Sequence, residues 1–242
     1  HMYGVMIAAG FLAALLMTLR RGKKRGYDED IIWGIFFCAI IGGMLGTRIL
    51  YYIVEIPEIL KDPSILWDFK NGYVVYGGII GGILVGWLYC RIKKLKFLEY
   101  FDLMMPSIAL AQGFGRIGCF LAGCCYGKET SGPLAVTYTN SDFAPNNVAL
   151  IPTQIYSGFL DFAHFLLLLY VAKHKKADGQ VAACYLIFYS IGRFVIEFFR
   201  GDIERGSVGV LSTSQFISIF TTVAGIILLL TCLLYTSPSP RD

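Results

Sequence analysis

The sequence predicts an all-α integral membrane protein, a bundle of seven transmembrane helices with a small extracytoplasmic cap. Hydrophobic residues make up 56% of the chain and charged residues only 16%, and the mean hydropathy is +0.61. A soluble domain of this length is less apolar. A membrane-spanning helix needs about 20 mostly apolar residues, and the chain contains seven such runs. Because lipid cannot satisfy exposed backbone polar groups, these runs must cross as helices.

Short polar or glycine-rich breaks separate the seven runs. The predicted spans cover residues 3–19, 31–54, 73–90, 99–122, 152–172, 180–199 and 212–234. Since no internal repeat of fixed period and no long linker divides the chain, residues 1–235 are predicted to form one membrane domain. Residues 236–242 shift abruptly to Ser and Pro and are predicted to be a disordered or non-native tail.

Positive charges in the loops predict the orientation, because Lys and Arg are retained on the cytoplasmic side of a membrane. They concentrate after the first, third and fifth spans, at 20–25, 91–96 and 173–176. This pattern predicts a multi-pass protein with its N-terminus outside and its C-terminus inside. The net charge of +4 therefore reflects topology, and nucleic acid is not expected as a partner.

Two segments on the predicted outer side are polar enough to form structure of their own. Residues 55–72 contain Pro57, Pro63 and Trp67 and are predicted to form a short amphipathic piece at the interface. Residues 124–151 are rich in turn-forming residues and are predicted to form the cap, with turns or a brief hairpin.

Ionisable residues inside the spans are functional candidates because each is costly in hydrocarbon. They are Arg48, Asp102, Arg116, Asp161, Arg193 and Glu197. Arg48, Arg116 and Arg193 fall at one depth near the outer leaflet, and Arg200 follows the third of them closely. A single arginine near a helix end can snorkel to the interface. Three at one depth, beside glycine-rich turns, favour an anion site, since guanidinium groups bind phosphate in a bidentate manner.

Several polar residues near this depth have two interpretations each. Glu197 follows Arg193 by four residues, which is typical of an intrahelical ion pair but also fits a catalytic carboxylate. Tyr189 lies on the same helix face. Tyr76, at the outer end of the third span, belongs either to the aromatic belt or to a polar cavity. Asp102, by contrast, falls near the cytoplasmic start of the fourth span and is interpreted as a charge near the N-terminus of its own helix, with a site role as the alternative.

Small residues form two groups. Glycines at positions 77, 78, 81, 82 and 86 predict the close approach of another helix. Cys119, Cys124 and Cys125 follow Arg116 with no histidine nearby and without a recognised zinc spacing, so no metal site is predicted. Small buried residues are the default interpretation of these cysteines, and a disulfide is the alternative in an oxidising compartment.

With these residues placed, the chain resembles the prolipoprotein diacylglyceryl transferase family over nearly its whole length. The family signature G-R-x-G-N-F-x-N-G is similar to GRIGCFLAG, with matches at Gly115, Arg116, Gly118, Phe120 and Gly123. Cys119 and Ala122 replace its two asparagines. Further matching pieces are YG at Tyr3, GTRI around Arg48, YGGIIG from Tyr76, PTQIY with Gln154, and YSIGRFVIEFFRGD with Tyr189, Arg193, Glu197 and Arg200. Many relatives have His where Tyr76 stands and an acidic residue where Cys124 stands.

The resemblance implies an enzyme of the bacterial cytoplasmic (inner) membrane that moves a diacylglyceryl group from phosphatidylglycerol to the lipobox cysteine of a prelipoprotein. It implies no cofactor and no metal, and its partners are phosphatidylglycerol, the prelipoprotein signal peptide and membrane lipids. The catalytic residues that it implies are Arg116, Arg193 and Tyr76. The substrate-binding residues that it implies are Arg116, Arg48, Tyr3, Tyr189, Glu197, Arg200, Gln154, Gly115, Gly118 and Gly123.

The implied reaction assigns a role to each catalytic residue. A peptide thiol, with a pKa of about 8.5, displaces glycerol phosphate, so Arg116 and Arg193 are expected to stabilise the leaving phosphate and Tyr76 to relay the thiol proton. Glycines beside Arg116 are expected to leave backbone N–H groups open to headgroup oxygens.

Two functions from other classes compete with this interpretation. A divergent paralogue acting as a lipid or small-anion transporter is expected to show paired interrupted helices in two related halves, and the sequence shows no such symmetry. The clustered arginines argue against a non-enzymatic scaffold.

Overall fold

The computed structural model describes residues 2–67, 72–202 and 207–236. Within them the chain forms eight α-helices, one 3-10 turn and two short β-hairpins. The helices are α1 (Met2–Lys24), α2 (Glu29–Val54), α3 (Ile56–Ile59), α4 (Val75–Ile92), α5 (Phe97–Ala122), α6 (Thr153–His174), α7 (Gln180–Glu197) and α8 (Thr213–Thr236). The 3-10 turn is Pro63–Trp67, and the strands are β1 (Val136–Thr137), β2 (Ala149–Leu150), β3 (Ser207–Val208) and β4 (Leu211–Ser212).

Six of these helices, α1, α2, α4, α6, α7 and α8, are long and apolar enough to cross a membrane. Only 17–39% of their apolar windows is buried within the protein, and large apolar side chains such as Leu12, Phe37 and Ile227 are exposed. An apolar outer surface of this extent is expected where lipid is the solvent. The prediction of an all-helical, multi-pass membrane protein is confirmed. α5 coincides with the fourth predicted span and is not one of these six helices.

Leu19–Phe97 form one compact unit, the first unit, and the described residues on either side of them form the second unit. The predicted amphipathic segment at 55–72 belongs to the first unit and contains α3 and the 3-10 turn, while its residues 68–71 lie outside the described residues. The predicted tail at 236–242 also lies outside them, apart from Thr236, which ends α8.

Glycines bring α2 and α4 of the first unit into backbone contact. A Cβ added to Gly46 or Gly77 would overlap the carbonyl oxygen of the other residue, and Gly42 and Gly81 are related in the same way. Small residues at such spacings let helix backbones approach within a membrane. The predicted close packing is confirmed for these glycines, but nothing lies within 4 Å of a Cβ at Gly86.

The second unit has its core between α5, α6 and α7. Its buried apolar cluster consists of Met105, Ala109, Phe165, Leu168, Ala172, Val181 and Ala182. Each of the three helices contributes at least two of these residues, so burial of the cluster holds the helices together.

Asp102 of α5 fastens the start of α7. The carboxylate, 1% exposed, accepts hydrogen bonds from the backbone N–H groups of Gly179 and Ala182, each at 2.9 Å, and from Lys175 Nζ at 3.0 Å. The first N–H groups of a helix have no partner within it, so a side chain from α5 caps α7. The interpretation of Asp102 as a charge that acts on the N-terminus of its own helix is therefore wrong. Tertiary packing places its carboxylate against the first N–H groups of α7 instead.

The segment 124–151 forms the predicted hairpin and is joined to the end of α7. Strands β1 and β2 pair antiparallel, with Val136 opposite Leu150. Lys128 N–H donates to Phe199 O at 2.9 Å, and Gly201 N–H donates to Tyr126 O at 3.1 Å. These backbone hydrogen bonds attach the segment to residues that follow α7.

Candidate active site

Arg116 lies near the C-terminal end of α5 and pairs with Asp161 of α6. Its Nε is 3.6 Å from Asp161 Oδ2, and the two side chains are 21% and 9% exposed. Gly158, one turn before Asp161, permits this approach, since a Cβ there would lie 3.3 Å from Arg116 Cβ. A separation of 3.6 Å is too long for a hydrogen bond. The carboxylate therefore offsets the charge of Arg116 without occupying its N–H donors.

Arg193 of α7 is held by two neighbours. Its Nη1 is 2.6 Å from Glu197 Oε2, and its Nη2 donates to Ser214 Oγ of α8 at 2.8 Å. The Arg193 and Glu197 side chains are 13% and 8% exposed. The intrahelical ion pair, one of the two interpretations of the four-residue spacing, is thus present, and it fixes the guanidinium of Arg193 in one orientation.

Arg200 follows α7 and is 8% exposed. Its Nε and Nη2 donate to the two carboxylate oxygens of Asp202, which is the bidentate arrangement typical of arginine. It also donates a hydrogen bond to Cys125. Burial opposes the charge, but the hydrogen bonds with Asp202 and Cys125 outweigh it and raise the pKa of Arg200. Arg200 therefore stays cationic.

The guanidinium groups of Arg116, Arg193 and Arg200 share one region of the second unit. Electrostatic repulsion from both Arg200 and Arg116 acts on Arg193. Each arginine has its own carboxylate partner, respectively Asp161, Glu197 and Asp202. The partner of Arg116 is the most distant, at 3.6 Å, so Arg116 has the greatest capacity to bind an added anion.

An aromatic stack adjoins the arginines. Tyr189 stacks on Tyr185 with ring centroids 5.6 Å apart and planes 4° apart, and Tyr185 stacks on His164 at 5.2 Å. Tyr189 also lies within electrostatic range of Arg116 and Arg193. The stack therefore links a mid-helix histidine of α6 to the arginines through two tyrosines of α7.

Gly115 and Gly118 of α5 lie against α1. A Cβ at Gly118 would be 3.2 Å from Tyr3 Cδ2 and from Met6 Cβ, and one at Gly115 would be 3.6 Å from Ile7 Cδ1. Both glycines are inside a continuous helix, where N–H groups bond the carbonyl four residues earlier. Their contribution in the structure is therefore close packing of α1, with Tyr3 beside the signature segment.

Gly123 ends α5 and turns the chain. Its φ of +74° is in the left-handed region, and the N–H of Cys124 donates to Cys119 O at 3.1 Å. This is the usual glycine-dependent closure of a helix C-terminus. Cys125 also has a positive φ, +63°, so the chain folds back over the last turn of α5.

Gln154 lies in the first turn of α6 and is 1% exposed. Its Nε2 donates to Cys124 O at 2.8 Å and to Tyr138 Oη at 3.3 Å, while Thr153 Oγ1 donates to Cys125 O at 2.9 Å. The Oε1 of Gln154 is buried with no hydrogen-bond partner in the part of the chain that the structure describes. Burial raises the pKa of Tyr138, which keeps its phenol neutral.

The Sγ atoms of Cys119, Cys124 and Cys125 all lie within 4.8 Å of one another. The three cysteines are not joined by disulfides in the part of the chain that the structure describes. Hydrogen bonds from Cys119, from Cys124 and then from Arg200 hold the pKa of Cys125 well below its usual value. Hydrogen bonds with Cys119 and Cys125 raise the pKa of Cys124. Cys119 is buried, as expected of a small packing residue, Cys124 and Cys125 are partly buried, and the three form one cluster.

Arg48 and Tyr76 belong to the first unit, and the other predicted site residues belong to the second. Arg48 Nε donates to Tyr52 Oη at 2.9 Å, and Nη1 donates to Gly72 O at 3.2 Å. Tyr52 Oη donates in turn to Leu66 O at 2.9 Å. Arg48 and Tyr52 therefore bind the backbone at Gly72 and Leu66 to α2. Tyr76, in the first turn of α4, is 42% exposed.

Comparison with known proteins identifies the family. The family model described as prolipoprotein diacylglyceryl transferase matches residues 1–231. The chain belongs to the prolipoprotein diacylglyceryl transferase family. A phosphatidylglycerol–prolipoprotein diacylglyceryl transferase of Clostridium tetani is 54% identical over 93% of this chain and 90% of its own length.

Two further relatives have the same printed activity. A phosphatidylglycerol–prolipoprotein diacylglyceryl transferase 2 of Clostridium perfringens is 50% identical over 94% of this chain and 89% of its own length. One from Clostridioides difficile is 34% identical over 93% and 88%. The resemblance inferred from the sequence is confirmed, and this member of the family is an enzyme of the transferase class.

Within this diacylglyceryl transferase, two features of the arginine region were missed by sequence reasoning. Asp161 was noted only as an ionisable residue in a span, and its pairing with Arg116 was not predicted. The available signal was that opposite charges in apolar helices tend to pair. Tyr185 gave no signal at all, since an aromatic residue within an apolar run is ordinary.

Proposed function

We propose that this chain transfers the diacylglyceryl group of phosphatidylglycerol to the lipobox cysteine thiol of a prelipoprotein in the bacterial inner membrane. The thiol sulfur forms a thioether bond to the glycerol carbon. The bond between that carbon and the phosphate oxygen breaks, and glycerol phosphate leaves. The thiol proton is lost on the way to the transition state.

The observation that carries the proposal is the convergence of three arginines, with Arg116 the least neutralised. Negative charge accumulates on the phosphate as it leaves, so donors already positioned near it lower the barrier. Losing one such donor typically costs about 3–4 kcal/mol. The loose ion pair with Asp161, at 3.6 Å, keeps Arg116 oriented while its N–H groups remain available to a phosphate oxygen.

The other candidate residues have supporting roles in this proposal. Arg193 is the second phosphate donor, and its ion pair with Glu197 at 2.6 Å supports a fixed orientation. Arg200 adds positive charge from the end of α7. Tyr189 lies within electrostatic range of both Arg116 and Arg193 and is suited to hydrogen bond a headgroup oxygen.

Packing residues shape the same site. Gly115, Gly118 and Gly123 set the path of α5 and its C-terminal turn, and Tyr3 covers Gly118. Gln154 holds the backbone that follows that turn. In the first unit, we assign to Tyr76 the relay of the thiol proton. We assign to Arg48 a part in substrate binding, in which it fixes the backbone at Gly72. Both assignments depend on the family resemblance.

We further propose that α5 is a seventh span. Its 26 residues extend about 39 Å at 1.5 Å per residue, enough to cross the hydrocarbon core. Its polar side chains Asp102 and Ser107 are buried within the protein, so they do not meet lipid. Seven spans, together with the basic loops at 20–25, 91–96 and 173–176, support an N-terminus outside and an extracytoplasmic cap at 124–151.

The proposal is tested by incubating the purified protein with phosphatidylglycerol and a peptide that contains a lipobox cysteine. The expected result is a mass gain on the peptide cysteine equal to one diacylglyceryl group, with stoichiometric release of glycerol phosphate. A transporter or scaffold would give no adduct. Loss of the adduct when the peptide cysteine is replaced by serine identifies the thiol as the acceptor.

Arg116→Ala is expected to lower the transfer rate at least about 100-fold while the protein still inserts and folds, since one preorganised donor is lost. Arg91→Ala is the matched control, because Arg91 is an exposed arginine in the last turn of α4. If Arg116→Ala and Arg91→Ala transferred at the same rate, Arg116 would have no part in the mechanism.

A further inference from the structure

The three-cysteine cluster at the end of α5 has no role in the transfer reaction above. Cys119 lies in the last turn of α5, and Cys124 and Cys125 follow its glycine turn. Their Sγ atoms, all within 4.8 Å of one another, form the only such convergence of potential metal ligands among residues 2–67, 72–202 and 207–236. Convergence of three soft ligands indicates a function beyond packing.

The backbone holds the cluster in this arrangement. The left-handed Gly123 and Cys125, at φ +74° and +63°, return the chain towards Cys119. The carbonyl oxygens of Cys124 and Cys125 are both anchored from the start of α6, by Gln154 and Thr153. Because the two carbonyls are fixed, the backbone keeps the thiols close to one another.

The spacing of the thiols suits a metal ion. Thiolate ligands bind Zn²⁺ at about 2.3 Å, which puts the sulfurs of a tetrahedral site about 3.8 Å apart. The sulfurs of the cluster need to move together by only about 1 Å to reach this geometry, a shift within the range of side-chain rotation. Thiolate ligands favour soft or borderline cations such as Zn²⁺ over Mg²⁺ or Ca²⁺.

The charge and the remaining polar groups also fit. Three thiolates and a divalent cation leave one negative charge, and Arg200, which hydrogen bonds Cys125, offsets it. Gln154 bonds Cys124 through its nitrogen, while its buried oxygen has no hydrogen-bond partner among the described residues. An acceptor is therefore available beside the cluster for a water on the fourth position that three protein ligands leave open.

We propose that Cys119, Cys124 and Cys125 together bind a thiophilic divalent cation of the Zn²⁺ class. The ion fastens the end of α5 to the start of the segment 124–151. Arg116 lies one turn before Cys119, so the ion also stabilises the part of α5 that presents Arg116. This inference does not depend on the proposed transfer function.

The test is a titration of the reduced, chelator-treated protein in detergent with Co²⁺, which reports thiolate ligation through its charge-transfer absorption. One equivalent is expected to bind, and Zn²⁺ is expected to displace it. Cys119→Ser and Cys125→Ser should each bind Co²⁺ at least about 100-fold more weakly, since even an outer-shell change costs about 10–100-fold. Cys38→Ser, which removes a thiol of α2, should bind as the unmodified protein does.

A second measurement on the unmodified protein covers the case in which a variant fails to fold. One equivalent of Zn²⁺ should protect Cys119, Cys124 and Cys125, but not Cys38, from alkylation, as read by peptide mass spectrometry. Equal alkylation with and without Zn²⁺ would overturn the proposal. So would recovery of these cysteines from untreated protein as a disulfide-linked peptide, which would make the cluster a redox pair.

Discussion

Replacing Asp102 by alanine is expected to destabilise the protein strongly. The substitution removes the acceptor of three hydrogen bonds, from Lys175 Nζ and from the backbone of Gly179 and Ala182. Lys175, whose side chain is 17% exposed, loses its buried partner. Two N–H groups at the start of α7 are left without an acceptor.

The size of the effect follows from these contacts. Breaking a buried ion pair by removing one member costs about 3–5 kcal/mol, because the other charge stays uncompensated. For a protein of this length, 1 kcal/mol corresponds to about 2–4 °C in Tm. The expected fall in Tm is therefore about 6–20 °C. Asp102 caps the end of α7 remote from Arg193, and Ala182, which it binds, lies about 17 Å from Arg193 along the helix. A loosened α7 is therefore also expected to lower transferase activity.

Asp178→Ala is the matched control for this experiment. Asp178 contacts the same lysine at 2.9 Å but is 39% exposed, and an exposed pair contributes about 0–1 kcal/mol. Thermal unfolding in detergent, followed by the reaction of newly exposed cysteines with a fluorogenic maleimide, measures both variants. If Asp102→Ala lowered Tm no further than Asp178→Ala, the buried cap would have no special role in holding α7.

Three further outcomes are expected. Burial opposes the charge of Lys175, but hydrogen bonds with its two carboxylate partners raise its pKa above 10.5. The charged lysine therefore stabilises the folded protein below that pH, and the stabilisation is lost as pH rises through the folded-state pKa. The Tm difference between the unmodified protein and Lys175→Gln should be constant from about pH 7 to 10 and then shrink. Gly77→Ala should lower Tm, because overpacking against α2 costs about 1–3 kcal/mol or more of unfolding free energy. Gly86→Ala is the control: nothing lies within 4 Å of a Cβ there, so Tm should be unchanged or higher. Arg193→Lys should lower kcat/KM for the lipobox peptide about 10–100-fold at unchanged Tm, since a charge-assisted hydrogen bond contributes about 1.5–3 kcal/mol; wild-type activity in this variant would show that a point charge is sufficient.

Features that depend on local spacing could be predicted from the sequence. The hydropathy pattern places α7 at 180–199, and the helix runs Gln180–Glu197, because apolar length and flanking polar residues both act locally. The ion pair between Arg193 and Glu197 follows from a four-residue separation on one helix. The glycines on one face of α4 predict that another helix packs closely there, but the sequence does not show that this helix is α2.

Features that depend on helix rotation and tertiary turns could not be predicted. The sequence does not determine which face of α5 packs against α6, so the pairing of Arg116 with Asp161 could not be predicted. Local rules predict that Asp102 interacts with the N-terminus of its own helix, but in the folded protein it caps α7. The cysteine cluster arises because a left-handed glycine reverses the chain, and linear spacing does not encode that reversal. Arg48 has the depth expected of a phosphate ligand, but its donors bind groups of the first unit.

The backbone hydrogen bonds between residues 126–128 and 199–201 have a mechanical consequence. They join two stretches of chain that are far apart in sequence, and Gly127 and Gly201 approach so closely that a methyl group on either would overlap backbone atoms of neighbouring residues. The loop after α5 and Arg200 are therefore expected to move together, if they move at all. A bulky two-tailed lipid that needs a gate to reach the guanidinium groups has to find it along some other edge of the protein.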